Sequence, residues 1–338
     1  MNKRKRTTIK DVARKAEVSI TTVSRYLNRN YDVMSEETRK KIEEVIRSLG
    51  YQPNKLAQGL KGSSRNIAVV VVNISYPFCV SVIRSISSIL TEEGYNLLVC
   101  ETGGDPHREQ KVIRSLEAQN IDGLIIQTDG QNTQLLEETA QAIPVVLIDR
   151  EFPIPSVVSV LTNDFVASNQ LTTALFQKGY KNILYVTEPL RNISTRIERL
   201  KGYTESCKQF NKKPWVIEIE RGDITRLRSV IDLIETWSTT EPFTVYTANG
   251  LIMLDLYPLL KTTHFSIPNP MGLATFDKPD WAHLITPSLT CVRHPTEEMG
   301  LYAAREILQR IKDGGTFTHH VKVVDSTVIL SDSTRLSN

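Results

Sequence analysis

Residues 8–28 read TIKDVARKAEVSITTVSRYLN, and this stretch decides the class of the N-terminal domain. Its first half carries apolar residues at the spacing of one buried helix face, namely Ile9, Val12, Ala13 and Ala16. Thr8 can cap that helix together with Asp11 three residues later, and Ser19 can cap a second helix that ends at Leu27. The stretch therefore predicts two short helices joined by a tight turn.

A third helix is expected from Ser35 to Gly50, because Glu36 and Glu37 lie in its first turn, where the helix dipole favours acids.

On the second helix Val23 can pack inward. The residues left on or near its outer face are Ile20, Thr21, Thr22, Ser24 and Arg25. Such a helix suits the major groove of DNA, where arginine can pair with guanine. Periodicity alone is equally compatible with a small helical bundle that is merely basic.

Positive charge is concentrated at the N-terminus, although the whole chain of 338 residues has a net charge of only +3. Residues 1–65 contain 16 Lys and Arg against 7 Asp and Glu, whereas the rest of the chain contains 25 against 31. This asymmetry indicates a small basic module for binding a polyanion, joined to a globular body. A soluble enzyme with a basic tail is the other interpretation of the charge.

The four cysteines are widely spaced and form no C-x-x-C pair, which argues against a zinc site or a disulfide framework. No apolar run approaches the roughly 20 residues of a membrane span, and the basic N-terminus lacks the apolar stretch of a signal peptide. We therefore expect a soluble, cytoplasmic protein. We also expect no metal and no cofactor, because the one histidine pair, His319-His320, fits a solvated strand end better than a metal site.

From Asn66 onward, short apolar runs alternate with helical stretches that end near Gly94 and Asn120. The strand-like runs are Ile67–Val72, Asn96–Cys100, Leu124–Gln127 and Val145–Asp149, followed by Ile183–Thr187, Trp215–Glu220, Phe243–Thr247 and Gly272–Phe276. Continuous apolar strands between helices predict parallel sheets covered on both faces. Two such series predict two doubly wound lobes, with ligands bound in a cleft at the carboxyl ends of the strands.

Spaced motifs occur along essentially the whole chain. In the head they are TIKDVA at 8–13, VSITTVSR at 18–25, YLN at 26–28 and GYQPN at 50–54, followed by Ala57 and Leu60. In the body they are YKNI at 180–183, RLKGY at 199–203, PSLT at 287–290 and EMG at 298–300. In this combination the chain resembles the lactose-repressor (LacI/GalR) family. The resemblance implies an all-α helix-turn-helix head and an α/β effector domain like periplasmic binding proteins, with two doubly wound parallel-sheet lobes.

The resemblance also assigns roles in the head. Ile20, Thr21 and Arg25 match base-reading positions. The further DNA-binding candidates, at phosphate, capping or hinge positions, are Thr8, Ser19, Thr22, Ser24, Asn28, Asn54, Ala57 and Leu60. Leu60 matches a leucine that hinge segments of a dimer wedge between bases in the minor groove. Taken alone, Pro53–Leu60 indicates a flexible linker, because so short a helix is unstable in water. Glu17 stands where the family commonly has glycine, which predicts a slightly strained turn.

The effector cleft is expected to be lined by residues that follow strands or match family contacts. They are Tyr76, Phe78, Asp149, Arg150, Thr195, Arg196, Arg199, Asn249 and Asp277. The resemblance makes Arg199 a sugar contact, and the arginines favour an acidic effector, a sugar acid or sugar phosphate. Within the family, residues 32–37 and 191–199 look most like regulators of 2-keto-3-deoxygluconate and pectin-breakdown genes. For each residue alone, a surface charge or a loop cap is the alternative.

We therefore predict a sequence-specific transcription regulator, and a repressor because most of the family repress. It would bind double-stranded operator DNA as a homodimer and respond to a small molecule. No P-loop, G-x-S-x-G or G-x-G-x-x-G motif is present, so we do not expect an enzyme. The alternative is a sugar-binding or sugar-converting protein with a basic DNA-binding appendage.

The expected domain limits follow from these motifs. The head would comprise residues 1–52, the hinge helix and linker 53–65, and the effector domain 66–338. The resemblance implies that the chain crosses between the lobes near Val292 and again near Val324. Lobe one would therefore contain 66–162 and 293–323, and lobe two 163–292 and 324–338.

Overall fold

The computed structural model describes residues 8–27, 30–31, 34–49, 64–237, 241–314 and 318–336. The chain forms two compact units, one within Met1–Ser64 and the other within Arg65–Asn338. The predicted contacts Asn28, Asn54, Ala57 and Leu60 lie outside the described residues. None of the helices in the described ranges combines the length and the apolar character that a membrane-spanning helix requires.

The described part of the first unit, the head, contains helices α1 (Ile9–Ala16), α2 (Ile20–Leu27) and α3 (Glu36–Leu49). Its core consists of Val12, Ala13, Ala16, Val23 and Ile42, all buried. The predicted cap of α1 is present, because the backbone N–H and hydroxyl of Thr8 both donate to Asp11 Oδ2, at 2.9 and 2.7 Å. The predicted three-helix head is therefore confirmed.

The turn between α1 and α2 is left-handed at Glu17, with φ of 55°. A left-handed backbone favours glycine over residues with a side chain. This agrees with the slightly strained turn that the family resemblance predicts at Glu17. Lys41 Nζ lies 2.7 Å from Glu17 Oε2 and ties the turn to α3. Ser19 then caps α2, since its hydroxyl accepts the backbone N–H of Thr22 at 3.0 Å.

The second unit, the body, contains two six-stranded sheets, each of which defines one lobe. The first has strand order β11-β5-β4-β3-β1-β2 and is parallel throughout. Its strands are β1 (Asn66–Val71), β2 (Asn96–Glu101), β3 (Gly123–Ile126), β4 (Val145–Ile148), β5 (Val158–Thr162) and β11 (His320–Val324). We call this side lobe one.

The second sheet defines lobe two and has strand order β12-β10-β9-β8-β6-β7. Its strands are β6 (Asn182–Thr187), β7 (Trp215–Glu218), β8 (Phe243–Thr247), β9 (Met271–Phe276), β10 (Thr290–Arg293) and β12 (Thr327–Ile329). All neighbours are parallel except β12, which runs antiparallel to β10. Strands β11 and β12 are close in sequence but belong to different sheets, so the chain crosses between the lobes at residues 325 and 326.

Helices cover both faces of each sheet. They are α4 (Pro77–Glu92), α5 (Pro106–Ala118), α6 (Thr133–Ala140), α7 (Asp164–Gln177), α8 (Ser194–Gln209), α9 (Ile224–Glu235), α10 (Gly250–Leu260) and α11 (Thr296–Asp313). In each lobe, two separate apolar clusters lie between the sheet and the helices, one on each face of the sheet. The predicted two-lobed parallel-sheet class is therefore confirmed. Helices α7 and α8 approach closely at Gly202, where a methyl group would collide with the carbonyl oxygen of Phe165.

The strand predictions differ from the structure in detail. Strand β5 was not predicted, although its five residues are all buried. The run Trp215–Glu220 was predicted two residues too long, since β7 ends at Glu218, and β1, β3 and β4 each end one residue earlier than predicted. At β4 the reason is local, because Asp149 has a φ of 72° and cannot continue the extended backbone.

Candidate functional site: a cleft between the two lobes

A cavity of about 160 Å³ lies between the lobes, lined by residues that follow strands of both sheets. Eight of the nine predicted effector residues line it: Tyr76, Phe78, Asp149, Arg150, Thr195, Arg196, Arg199 and Asn249. The ninth, Asp277, lines an adjoining cavity of about 420 Å³. It accepts a hydrogen bond from the Tyr76 hydroxyl across the lobe boundary. The structure therefore brings all nine residues into one region.

The two aspartates occupy corresponding places in the two lobes. Asp149 directly follows β4 and Asp277 directly follows β9, and both have left-handed backbones with φ of 72° and 71°. Aspartate tolerates this conformation better than most residues. The strained turn aims each carboxylate at the cleft, where Asp149 accepts from Gln127 Nε2 at 2.7 Å and Asp277 Oδ1 lies 2.9 Å from His294 Nε2.

The environments of these carboxylates push their pKa values in opposite directions. Burial raises the pKa of Asp149 to about 6, against the charge of Arg199. Burial would also raise the pKa of Asp277, but the hydrogen bonds from His294 and Tyr76 and the charge of Arg199 outweigh it and bring the pKa to about 2. Asp149 therefore destabilises the folded state when it is ionised, whereas ionised Asp277 stabilises it.

Substitution of Asp149 by asparagine is expected to raise the melting temperature at pH 7.5. Because the pKa of Asp149 is higher in the folded state, its deprotonation lowers the free energy of unfolding as the pH rises from about 4 to 6. Above pH 6 this loss stays constant, here at up to about 3 kcal/mol. The gain should therefore be small at pH 4. Thermal denaturation at both pH values measures it, with Asp277→Asn as the matched control that should lose stability at pH 7.5. A lower melting temperature for Asp149→Asn at pH 7.5 would contradict the prediction.

Arg199 lies on α8 at the floor of the cavity, and its donors are already engaged. Nε donates to Asp164 Oδ1 at 2.7 Å, and Nη1 donates to the carbonyl oxygen of Ala248 at 2.8 Å. Nη2 lies 3.0 Å from Nε2 of His294, and the guanidinium stacks over the Phe276 ring at 4.0 Å. This arginine therefore joins α7, α8 and the ends of β8 and β10 in one buried network.

The rim of the cavity on lobe two is formed by Glu188, Arg196 and Asn249. Asn249 Oδ1 caps α10 by accepting the backbone N–H groups of Leu251 and Ile252, at 3.0 and 2.9 Å. Its amide Nδ2 donates to Glu188 Oε2 at 2.8 Å, and Arg196 Nη2 lies 3.0 Å from the same oxygen. Asn249 thus positions a carboxylate besides capping α10.

Several lining residues were missed by the sequence analysis: Asn73, Gln127, Glu188, Arg221 and His294. Gln127, Glu188 and His294 each directly follow a strand, β3, β6 and β10. The rule that ligands bind at carboxyl ends of parallel strands could therefore have found them. Arg221 follows β7 by three residues and carries no comparable sequence signal.

On the head, the predicted base-reading residues share an accessible helix. Ile20, Thr21 and Arg25 of α2 are exposed, whereas Val23 on the same helix is fully buried. Ser19 is exposed as well, and Thr22 and Ser24 are half-buried. Thr21 and Arg25 are one helical turn apart, so they lie on one face of α2.

The sequence matches known proteins over both units. The model “Periplasmic binding proteins and sugar binding domain of LacI family” matches residues 64–334, and “Bacterial regulatory proteins, lacI family” matches residues 8–54. The chain belongs to the LacI family. It is 36% identical over 310 residues to the HTH-type transcriptional regulator KdgR of Bacillus subtilis (strain 168), covering 90% of this chain and 91% of that protein. A LacI-family chain with this head is a DNA-binding transcription regulator.

Other LacI-family relatives extend the similarity. The HTH-type transcriptional regulator PtxS of Pseudomonas putida (strain KT2440) is 34% identical, with 91% of each chain covered. The ribose operon repressor of Haemophilus influenzae is 27% identical over 96% of this chain and 98% of that protein. Among solved structures, the lac repressor dimer bound to operator and the anti-inducer ONPF has a TM-score of 0.82 at 20% identity, covering 98% of this chain and 99% of that chain. That likeness concerns the fold.

Proposed function

We propose that this regulator is a repressor whose affinity for operator DNA is controlled by an acidic sugar derivative bound in the cleft. The observation that carries the proposal is the composition of the cavity, which four arginines line: Arg150, Arg196, Arg199 and Arg221. The lining carboxylates are Asp149 and Glu188. A small polar cavity with excess guanidinium groups suits an anionic, polyhydroxylated ligand of monosaccharide size.

The relatives support the same ligand class. The family model that matches the body includes sugar-binding domains. In addition, residues 32–37 and 191–199 resemble regulators of 2-keto-3-deoxygluconate genes, as the sequence analysis inferred. The nine cleft residues predicted from the sequence are proposed to form the effector site. Tyr76 and Phe78 supply its aromatic wall, and Asp149 and Asp277 supply acceptors for hydroxyl groups.

DNA binding is proposed to require a homodimer. The recognition surface of one head is α2, a helix of 8 residues. Such a helix reads a short half-site, whereas a unique genomic site needs two half-sites in fixed register. We propose a head over residues 1–52, a hinge over residues 53–65 and an effector domain over residues 66–338, and a cytoplasmic location where operator DNA is accessible. The lobe limits expected from the sequence shift slightly, because Arg293 belongs to β10 of lobe two and Val324 to β11 of lobe one.

Titration calorimetry of the full-length protein tests the effector class. The probes are 2-keto-3-deoxygluconate, its 6-phosphate, gluconate, glucose and a purine base. We expect an acidic sugar to bind most tightly and to change the affinity for an operator selected from random DNA, measured by fluorescence anisotropy. Tight binding of glucose or of the purine, with no response to any acid, would refute the proposal.

A further inference from the structure

The arginines of the cavity are not equally available to a ligand. Arg199 is engaged by Asp164, the Ala248 carbonyl and the Phe276 ring, and its side chain is only 7% exposed. Arg221 is 45% exposed and faces Asp255 at 3.8 Å. Arg150 and Arg196 differ from these two because they border the cavity from opposite lobes, Arg150 just after β4 and Arg196 from the first turn of α8.

Arg150 has an unused donor within the cleft. Its side chain is 10% exposed, and its Nε is buried with no hydrogen-bond partner among the residues that the structure describes. Asp149 Oδ2 lies 3.9 Å from Nε, which is too far for a hydrogen bond. Nη1 of the same group contacts Asp129. A buried guanidinium N–H without a partner is costly, so this donor is suited to a ligand atom.

Two residues of lobe two hold the Arg196 side chain in place. Nη1 donates to the Pro189 carbonyl oxygen at 2.7 Å, and Nη2 pairs with Glu188 at 3.0 Å. The side chains of Arg196 and Glu188 are 19% and 23% exposed, so the pair borders the cavity. Solvent access and a fixed guanidinium leave Arg196 able to contact a bound anion.

The first turn of α8 adds a third favourable element. Helix α8 has 16 residues, and its N-cap residue is Ile193, whose side chain makes no capping bond. Thr195, Arg196 and Arg199 of this helix all line the cavity. An uncapped N-terminus of this length attracts anions through its backbone N–H groups and its dipole.

We propose that Arg150 and Arg196 form an anion clamp across the two lobes, in which the charged group of the effector lies between the two guanidiniums at the start of α8. The clamp rests on the proposed function, since it names the residues that distinguish an acidic effector from a neutral sugar. The carboxylate or phosphate of the effector bonds to Arg150 Nε and to Arg196. Arg199 orients the site through Asp164 and does not carry the charge selection.

The clamp also provides a regulatory link between the lobes. The two guanidiniums repel one another, and burial together with the Arg196 charge lowers the pKa of Arg150 to about 10. An anion between them replaces this repulsion with attraction on both sides. Because the two arginines belong to different lobes, the effector stabilises the arrangement in which the lobes are close.

Calorimetry on the full chain tests the clamp with three probes: 2-keto-3-deoxygluconate as a carboxylate, glucose 6-phosphate as a phosphate, and glucose as the neutral sugar. The wild type is expected to prefer an anionic probe over glucose. Arg150→Gln and Arg196→Gln should each weaken binding of that anion about tenfold or more and weaken glucose binding much less, so that the ratio of the two affinities falls. Arg196→Lys should retain more of the preference than Arg196→Gln, because it keeps the charge.

Arg191→Gln is the matched control, since Arg191 lies in the loop just before α8. Its side chain is 65% exposed, pairs with Glu220 and is not among the residues that line the cavity. It should behave as the wild type. If Arg150→Gln fails to fold, Arg196→Gln decides the outcome. An anion preference in the wild type that survives in the clamp variants overturns the clamp alone. A wild type that prefers neither anion over glucose overturns the clamp together with the acidic effector class.

Discussion

Replacing Arg199 by alanine is expected to lower the free energy of unfolding by about 3–5 kcal/mol. The variant leaves the Asp164 carboxylate, whose side chain is 7% exposed, without its charged partner. It also removes the bond to the Ala248 carbonyl and the stacking on Phe276. An unpaired buried charge is the dominant cost, because the interior cannot replace the hydration that the carboxylate lost on folding.

Urea denaturation followed by circular dichroism measures this loss. Lys201→Ala is a control on the same helix, because Lys201 is 59% exposed and its pair with Glu198 should contribute no more than about 1 kcal/mol. The double variant Arg199→Ala/Asp164→Ala should be more stable than Arg199→Ala alone, since it removes the unpaired carboxylate. A single variant within about 1 kcal/mol of the wild type would show that Arg199 does not hold the network together.

This expectation changes how effector experiments at Arg199 are interpreted. The family resemblance marks Arg199 as a sugar contact, and an alanine variant that binds no effector would seem to confirm that role. Loss of the contacts of Arg199 with Asp164, Ala248 and Phe276 could also abolish effector binding, because without them the cleft would no longer be folded correctly. Arg150 and Arg196 are therefore the sharper positions for testing ligand charge.

The sequence was sufficient for the fold class because local patterns and global topology agree. Apolar runs such as those at β1, β4 and β9 are buried on both faces, as parallel strands between helices require. Strand β5 was missed although it is as fully buried as β4. The loop between β4 and β5 has 9 residues and no helix, so the expected strand–helix alternation fails there.

The location of the cleft could be predicted from strand ends, but its internal contacts could not. Arg199 and Asp164 are 35 residues apart, and Tyr76 and Asp277 are 201 apart, so no local pattern pairs them. Which arginine keeps a free donor depends on these long-range pairings. The availability of Arg150 and the saturation of Arg199 are therefore properties of the folded chain that sequence reasoning alone did not separate.

On the head, Arg25→Ala is expected to weaken operator binding by about 1–3 kcal/mol, which is roughly a 5- to 150-fold loss of affinity, and to relax the preference at one base pair. Arg25 is exposed on α2, one turn from Thr21, and Val23 anchors the opposite face of this helix in the core. A guanidinium presented in this way can make two hydrogen bonds to guanine in the major groove. Loss of those bonds removes discrimination as well as affinity.

Selection from a randomised DNA pool, followed by anisotropy titrations on the selected operator and its single-base variants, measures both effects. Arg14→Ala is the matched control, because Arg14 is an arginine of the same head with a side chain 81% exposed, on α1 rather than α2. Its loss should weaken all sequences about equally and flatten the salt dependence, as expected for a contact that is purely electrostatic. If Arg25→Ala keeps the wild-type base preferences and loses affinity evenly, as Arg14→Ala should, then Arg25 contacts phosphate and the bases are read by other residues of α2.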